Sequence, residues 1–242
     1  MTVLIDLYNR AMSKPNKPQP FECDAELKQK AADIFARLMD AYGMPDWPVM
    51  PPLDEMMNTV LSQNTNDRNR DLAFQRLRQR FGSWEEVRDA PLEEVIERIR
   101  PAGLGNQKGA RMQEILQRIT AERGNLDLDF LHSWKPEEIR SWLTSFKGIG
   151  LKTASIVMLF SLGVPAFPVD THIYRVSGRL GLRPAKMNVN VSHDHLAGLF
   201  PPEDYGPAHI NLILLGRRLC HARKPDCDHC FLTDLCSHYA AL

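Results

Sequence analysis

The chain has 242 residues, of which 43% are hydrophobic and 25% charged, and its acidic and basic side chains balance to a formal net charge of zero. This composition is typical of a soluble globular protein with one large domain or two lobes that have cores of their own. No apolar run reaches the roughly 18 to 20 residues that a membrane-spanning helix needs, and the first residues lack the order of a secretion signal. The neutral balance excludes nucleic-acid binding through overall positive charge, so any basic contact surface has to be local.

Helical signals dominate the chain after a predicted flexible extension at residues 1–23, and no segment sustains a two-residue alternation. Short loops separate the predicted helices, so the sequence predicts an all-α fold. The segments in chain order are DEMMNTVLS after Pro51 and Pro52, NDRNRDLAFQRLRQRFG capped at Asn66 or Asp67, a helix after the capping box of Ser83 and Glu86, LEEVIERI ended by Pro101 and Gly103, QKGARMQEILQRITAERG ended by Gly124, KPEEIRSWLTSF with Pro136 in its first turn, LKTASIVMLFSLG, THIYRVSGRLG after Asp170, and HINLILLGRRLC.

Basic residues are concentrated in two places despite the neutral total. One group lies between residues 205 and 225, where no acid occurs, and the other lies on a predicted helix. Such groups suit a phosphate backbone, although solvated helix faces carry them as well. The two groups are Arg217, Arg218, Arg223 and Lys224, and Arg68, Arg70, Arg76, Arg78 and Arg80.

The stretch FKGIGLKTASIV joins two predicted helices through the segment GIG. Gly148 and Gly150 can both adopt positive φ, which permits a very short hairpin and leaves backbone N–H groups pointing outward at the next helix start. Together with the positive end of the helix dipole, these amides suit a phosphate group. The alternative is a plain glycine turn between two packed helices.

Lys152 lies in the first turn of an apolar predicted helix, where the dipole disfavours a cation. Burial there would lower its pKa, and a lysine that is partly neutral is a nucleophile able to form a Schiff base. A surface lysine lying over the helix end is the other interpretation. Asp170, before THIYRV, suits a helix N-cap and equally a carboxylate that assists such a lysine.

Four of the five cysteines fall within seventeen residues, with the spacing C-x6-C-x2-C-x5-C. Such crowding favours metal or cluster binding in a reducing compartment over a disulfide framework. A [4Fe–4S] cluster and a tetrahedral zinc ion both remain open from the spacing alone. The four are Cys220, Cys227, Cys230 and Cys236.

The order and spacing of GIGLKTA, VDTHIYRV and the four cysteines resemble the endonuclease III branch of the helix-hairpin-helix DNA glycosylases, from about Pro52 to Cys236. The resemblance implies a [4Fe–4S] cluster and two helical lobes with a DNA cleft between them. One lobe would be a six-helix barrel with the hairpin, at residues 45–164. The other would be the cluster lobe, formed by residues 24–44 and 165–242.

The resemblance also implies roles for individual residues. Lys152 and Asp170 match the catalytic lysine and aspartate, and the four cysteines match the cluster ligands. LSQNTND resembles the segment whose glutamine fills the gap left by a flipped base, which is Gln63 here, and AGLGNQK resembles the loop whose leucine wedges into the opposite strand, which is Leu104. We expect DNA contacts from Gln63, Leu104, Gly148, Gly150, Arg223 and Lys224.

Two positions depart from the family pattern. Leu151 stands where the family commonly has arginine and Lys147 where it commonly has proline, which affects the expected preference among damaged bases more than the chemistry.

The expected function is a base-excision-repair DNA glycosylase with AP lyase activity on oxidised pyrimidines in duplex DNA. A monofunctional glycosylase for mismatched or alkylated bases and a non-catalytic iron–sulfur protein that binds DNA structure are the alternatives. We expect damaged double-stranded DNA as the partner, a monomer, no membrane association, and a cytoplasmic location with the nucleoid.

Overall fold

The structure, a computed structural model, describes residues 24–242, and the regular secondary structure in that range is helical throughout. The predicted all-α fold is therefore confirmed, whereas the predicted extension at residues 1–23 lies outside the described residues. Within the described range there are eleven α-helices: α1 Ala25–Tyr42, α2 Pro52–Ser62, α3 Asp67–Arg80, α4 Trp84–Asp89, α5 Leu92–Ile99, α6 Gly105–Arg123, α7 Pro136–Thr144, α8 Leu151–Ile156, α9 Thr171–Leu180, α10 Val189–Ala197 and α11 Tyr205–Arg218.

Local capping determines where several of these helices begin and end. The Asn66 side chain accepts a hydrogen bond from the backbone N–H of Asn69 at 2.9 Å and so caps α3. Helix α6 is ended by Gly124, which has a φ of +81°. A residue with a Cβ would adopt this left-handed conformation only with strain. These boundaries agree with the predicted ones because caps depend on neighbouring residues alone.

The predicted capping box at α4 is only half formed. Ser83 Oγ accepts from the N–H of Glu86 at 3.2 Å, as predicted. The Glu86 carboxylate, however, accepts from the N–H of Gly82 at 3.2 Å rather than from Ser83 itself. The helix start still has two backbone donors satisfied, which is the purpose of the motif.

The buried side chains form two separate hydrophobic cores. The first draws on chain from Leu53 to Ala166, which includes helices α2 to α8. The second combines α1 with the chain from Phe167 to Leu232, so the N-terminal helix packs with the C-terminal ones. This distribution supports the predicted lobes at 45–164 and at 24–44 with 165–242, whose boundaries remain a proposal.

Helix α8 is shorter than the sequence predicts. The segment LKTASIVMLFSLG was expected to form one continuous buried helix, but the α-helical hydrogen bonding stops at Ile156. Residues Val157–Ser161 continue as a π-helical turn, and the chain leaves it at Leu162, whose N–H donates to Val157 O at 3.1 Å. Such π-helical turns are frequent at functional sites.

Helix α1 is not among the predicted helical segments, and neither is α10. The sequence of α10, VNVSHDHLA, mixes β-branched and polar residues without a clear apolar stripe, and both of its valines are exposed. The Asn188 side chain caps it by accepting from the N–H of Asn190 at 2.8 Å. Across residues 24–242 no helix is long and apolar enough to cross a membrane.

Candidate active site and cysteine loop

A cleft of about 780 Å³ opens where α2, α8, α9 and α11 meet, so helices that pack in both cores contribute to its walls. It contains both Lys152 and Asp170, the lysine and the carboxylate that were expected to act together. Gln63 lines it as well. Further polar side chains in the wall are Glu55, Asn58, Thr59, Ser62, His209 and Arg217.

Lys152 lies in the first turn of α8, at the edge of this cleft. Burial lowers the pKa of its amine, and the nearby carboxylates of Asp170, Glu55 and Asp67 oppose that effect while Arg70 adds to it. A lowered pKa increases the fraction of neutral amine at a given pH, and only the neutral amine is nucleophilic. The environment therefore suits an attacking lysine.

Asp170 caps α9, because its Oδ1 accepts a hydrogen bond from the backbone N–H of Ile173 at 2.8 Å. The cap holds the carboxylate at the cleft, where it acts electrostatically on Lys152. The two interpretations of Asp170, as helix cap and as partner of a lysine, are therefore compatible.

His209, on α11, is a residue of the cleft that sequence analysis missed. It is buried, and its Nδ1–H donates to the carbonyl of Pro168 at 3.0 Å. Burial lowers its pKa to about 4, so the imidazole is neutral at physiological pH and supports the chain just before Asp170 without adding charge. Nothing local in HINLILLG indicates this role, since it depends on a contact across 41 residues.

The two glycines of the hairpin differ. Gly148 has a φ of +82°, as predicted, and a Cβ there would lie 3.0 Å from Arg111 Nε. Gly150 has a φ of −93° and an extended ψ, so it does not use the positive φ that a glycine permits. A Cβ at Gly150 would meet no atom within 4 Å, which leaves an open approach to the start of α8.

Gln63 ends α2 and is tied to the hairpin, because its Nε2 donates to the carbonyl of Gly148 at 3.1 Å. The next residue, Asn64, lines the same cleft with a φ of +50°. Leu104 precedes α6 in a left-handed conformation with a φ of +49°, and 48% of its surface is exposed. An apolar side chain held outward in this way is suited to insertion between bases.

Lys108 connects the segment that carries Gln63 with the segment that carries Leu104. This role of Lys108 was not predicted. Its side chain is only 3% exposed, and its Nζ donates to the carbonyl of Leu61 at 2.7 Å and to that of Ala102 at 2.8 Å. Those carbonyls lie two residues before Gln63 and two before Leu104. The buried ammonium group of Lys108 therefore fixes the positions of the Gln63 and Leu104 loops relative to each other.

The four cysteines of the C-terminal loop line one common cavity and are unpaired thiols, each partly buried. Within residues 24–242, no three histidine, cysteine or acidic side chains converge closely enough to hold a single metal ion. Four thiols around one cavity are the donor set that an iron–sulfur cluster takes. Arg179 stabilises the loop by donating to Cys220 Sγ at 3.3 Å and to the carbonyl of Ala222 at 3.1 Å.

Arg223 and Lys224 are exposed on this loop, outside the cleft, and Lys224 has a φ of +50°. The other members of the predicted basic group are engaged elsewhere. Arg217 forms an ion pair with Asp67 of α3 at 2.6 Å, and the Arg218 guanidinium lies 5.3 Å from the ring centre of Tyr42.

Comparison with protein families gives two matches. Residues 57–202 match the model described as HhH-GPD superfamily base excision DNA repair protein, and residues 220–236 match the iron–sulfur binding domain of endonuclease III. Among characterised relatives, endonuclease III of Sulfolobus acidocaldarius is 34% identical over 76% of this chain and 81% of its own. Endonuclease III of Thermotoga maritima is 31% identical over 78% of this chain and 84% of its own.

Solved structures agree with these matches. A non-covalent endonuclease III–DNA complex superposes with a TM-score of 0.77 at 27% identity, covering 88% of this chain and 97% of that one. A trapped endonuclease III–DNA covalent intermediate gives a TM-score of 0.76 at the same identity and coverage. From its fold, its cleft and these matches, the chain belongs to the HhH-GPD superfamily of base excision DNA repair proteins, in the endonuclease III family.

Proposed function

We propose that this chain is a base-excision-repair DNA glycosylase with AP lyase activity, which removes oxidised pyrimidines from duplex DNA. The observation that carries the proposal is the presence of Lys152, with a pKa lowered by burial, in one cleft with Asp170. An amine in that state can act as a nucleophile, and the family resemblance supplies the substrate class.

The substrate has to leave the duplex before it can react. Extrusion of a nucleotide costs a few kcal/mol, and the cost is smallest where pairing is already damaged. Gln63 and Leu104 lie on loop segments at the surface and would fill the vacated stack. The amides at Gly148 and Gly150 would hold a backbone phosphate, and the open space beside Gly150 gives that phosphate access.

Lys152 then attacks C1′ of the extruded nucleotide with its lone pair. The bond from C1′ to the base breaks, the base leaves with the bonding electrons and takes up a proton, and the attacking nitrogen loses one. Opening of the sugar ring gives an imine between Lys152 and C1′. The Asp170 carboxylate stabilises the positive charge that develops on the sugar and assists the proton transfers.

Strand cleavage follows from the imine. Conjugation with the C=N⁺ group acidifies the C2′ proton, and removal of that proton expels the phosphate from C3′ in a β-elimination. Water hydrolyses the remaining imine and releases Lys152 in its original form. Formation of the imine is what distinguishes this bifunctional route from simple hydrolysis of the glycosidic bond.

The chain carries a [4Fe–4S] cluster, and we propose Cys220, Cys227, Cys230 and Cys236 as its ligands. When bound, the cluster supplies four metal–sulfur bonds that hold the loop as a rigid unit. Arg223 and Lys224 on that loop would then contact phosphates in a fixed arrangement, which makes DNA binding strongly dependent on salt.

Borohydride trapping on an oligonucleotide with one oxidised pyrimidine tests the assignment of Lys152. We expect wild type to form a covalent protein–DNA adduct and Lys152→Ala to form none. Lys147→Ala, at an exposed lysine in the same hairpin, is the matched control and should trap as wild type does. An adduct of equal yield from Lys152→Ala would show that another nucleophile forms the imine.

The alternatives differ in what they predict for the same oligonucleotide. A monofunctional glycosylase would release the base but leave the strand intact until alkali is added, and a protein that only binds DNA structure would do neither. We further propose that the protein acts as a monomer in the cytoplasm, associated with the nucleoid, which sedimentation and fluorescence imaging of the full chain would test.

A further inference from the structure

The cleft contains a carboxyl group, that of Glu55, to which the proposed mechanism assigns no role. Glu55 lies on α2, a helix whose other face is deeply buried in the first core. Glu55, Asn58, Thr59 and Ser62 all line the cleft, and their spacing of three or four residues places them on one side of the helix. A polar stripe on an otherwise apolar helix therefore faces the substrate cavity.

The Glu55 carboxyl is held in position but only partly satisfied. The Thr59 hydroxyl, on a residue that is 4% exposed, donates to Glu55 Oε1 at 3.2 Å. Within the described part of the chain the second oxygen, Oε2, accepts no hydrogen bond, and no ion pair involves Glu55. A carboxyl oxygen without a partner inside a polar cleft is available to a ligand.

The surroundings of Glu55 shift its pKa upward, toward the neutral form. Burial raises its pKa, while the hydrogen bond from Thr59 and the charges of Lys152 and Arg70 oppose the rise. The neighbouring carboxylate of Asp54 adds to it. A neutral carboxyl differs from a carboxylate in one respect that matters for recognition, since it offers both a donor and an acceptor.

We propose that Glu55 recognises the extruded base, by pairing a carboxyl O–H donor and an adjacent acceptor with the Watson–Crick edge of a pyrimidine. This inference rests on the proposed function, because it takes the cleft as the site of an extruded nucleotide. With C1′ at the Lys152 amine, the base occupies the remaining volume, which α2 lines with Glu55, Asn58 and Ser62.

The pairing explains how one side chain serves a class of substrates. Damage to the C5–C6 bond of a pyrimidine leaves its Watson–Crick edge with a donor next to an acceptor. A neutral carboxyl can present its own donor and acceptor in either order, so it complements thymine-like and cytosine-like edges alike. A glutamine amide also has a donor and an acceptor, whereas a leucine side chain of similar size has neither.

The test compares Glu55→Gln and Glu55→Leu in two reactions of the full-length protein carrying its cluster. Base release is measured on duplexes with one oxidised thymine or one oxidised cytosine, and strand cleavage is measured on a duplex with a preformed abasic site. We expect Glu55→Leu to release both bases at least about tenfold more slowly, since the edge loses its partners, and Glu55→Gln to remain within about threefold of wild type. Cleavage at the abasic site, where no base is present, should not fall in either variant, because the loss of a carboxyl group near Lys152 cannot favour the protonated amine.

Three results would overturn the inference. Base release by Glu55→Leu at the wild-type rate would show that the carboxyl does not contact the base. An equal loss in base release and in abasic-site cleavage would show that Glu55 acts through Lys152. Equal slowing of both Glu55 variants in base release would show that a neutral donor–acceptor pair is not what the site requires.

Two controls separate these results from other failures. Glu137→Leu, at an exposed glutamate outside the cleft, should match wild type in both reactions. Loss of borohydride trapping by wild type itself would overturn the proposed function and not merely the role of Glu55. The thermal midpoint and the cluster absorbance of each variant confirm that it is folded.

Discussion

Replacement of Lys108 by methionine tests how much the buried ammonium group, which joins the Gln63 and Leu104 loops, contributes to the free energy of unfolding. Lys108→Met keeps a long apolar side chain but removes the donors to the carbonyls of Leu61 and Ala102, at 2.7 and 2.8 Å. Each buried carbonyl left without a partner costs about 1 to 3 kcal/mol. Methionine also avoids the cost of burying the amine, so we expect a net loss of about 2 to 4 kcal/mol in the free energy of unfolding.

Urea titration of the full chain, followed by far-ultraviolet circular dichroism, measures this loss. Lys186→Met is the control, because Lys186 is exposed and its replacement should change the free energy of unfolding by less than about 0.5 kcal/mol. A loss of 2 to 4 kcal/mol is smaller than the usual stability of a domain, so the variant should still fold.

The pH dependence of the free energy of unfolding gives a second test, and its direction can be predicted. Burial lowers the pKa of Lys108 in the folded state, so between that pKa and the unfolded value of about 10.4 the unfolded chain binds more protons. Stability contributed by Lys108 therefore rises with pH in that window, and a neutral amine keeps enough N–H donors for both carbonyls. The stability difference between wild type and Lys108→Met should widen at alkaline pH. A variant as stable as the Lys186→Met control at every pH would refute the reasoning.

Three further predictions concern the cleft and the hairpin. Asp170→Asn keeps an oxygen that can cap α9, so we expect a stability change below about 1 kcal/mol but a loss of borohydride trapping of at least about tenfold, both measured on the purified variant. Gly148→Ala forces a Cβ into a φ of +82° and within 3.0 Å of Arg111, and should lower the free energy of unfolding by about 1 to 2 kcal/mol in urea titration. The trapping rate of wild type on a preformed abasic site should rise with pH through the lowered pKa of Lys152, because the neutral amine is the nucleophile.

Each of these three predictions has either a control variant or a result that would contradict it. Gly150 has a φ of −93° and open space for a Cβ. Gly150→Ala should therefore leave stability unchanged, in contrast to Gly148→Ala, while it weakens DNA binding. If Asp170→Asn traps as well as wild type, its carboxylate only caps the helix. A trapping rate that does not rise at any pH below the ordinary lysine pKa would contradict the role of amine protonation.

The features that the sequence predicted correctly are those set by neighbouring residues or by a spaced motif. Asn66, Gly124 and Asp170 act as helix caps, and each depends on backbone within a few residues. Periodicity was sufficient for most helices of the first core, because they present an apolar face, but it overestimated the length of α8. The short helix α10 lacked that signal, since two of its valines point to solvent.

Features that arise from contacts across the chain could not be predicted in the same way. The hydrogen bond from His209 to Pro168 and those from Lys108 to two carbonyls join segments whose proximity only the fold provides. Gly150 illustrates a different limit, since a glycine permits a positive φ without requiring it. A sequence signal for Glu55 did exist, because Glu55, Asn58, Thr59 and Ser62 are spaced by three or four residues within a mostly apolar predicted helix.

The ion pair between Arg217 and Asp67 changes how many positive charges the C-terminal region offers to DNA. Its side chains are 45% and 44% exposed, and it joins α11 to α3, so this arginine is already neutralised by a carboxylate of the protein itself. Counterion release from duplex DNA contributes a slope of about −0.9 per neutralised phosphate to a plot of log affinity against log salt. With Arg217 paired, three cations of this group keep their charge, because the contact of Arg218 with the Tyr42 ring does not neutralise it, and the region's share of that slope should be about −3 instead of about −4.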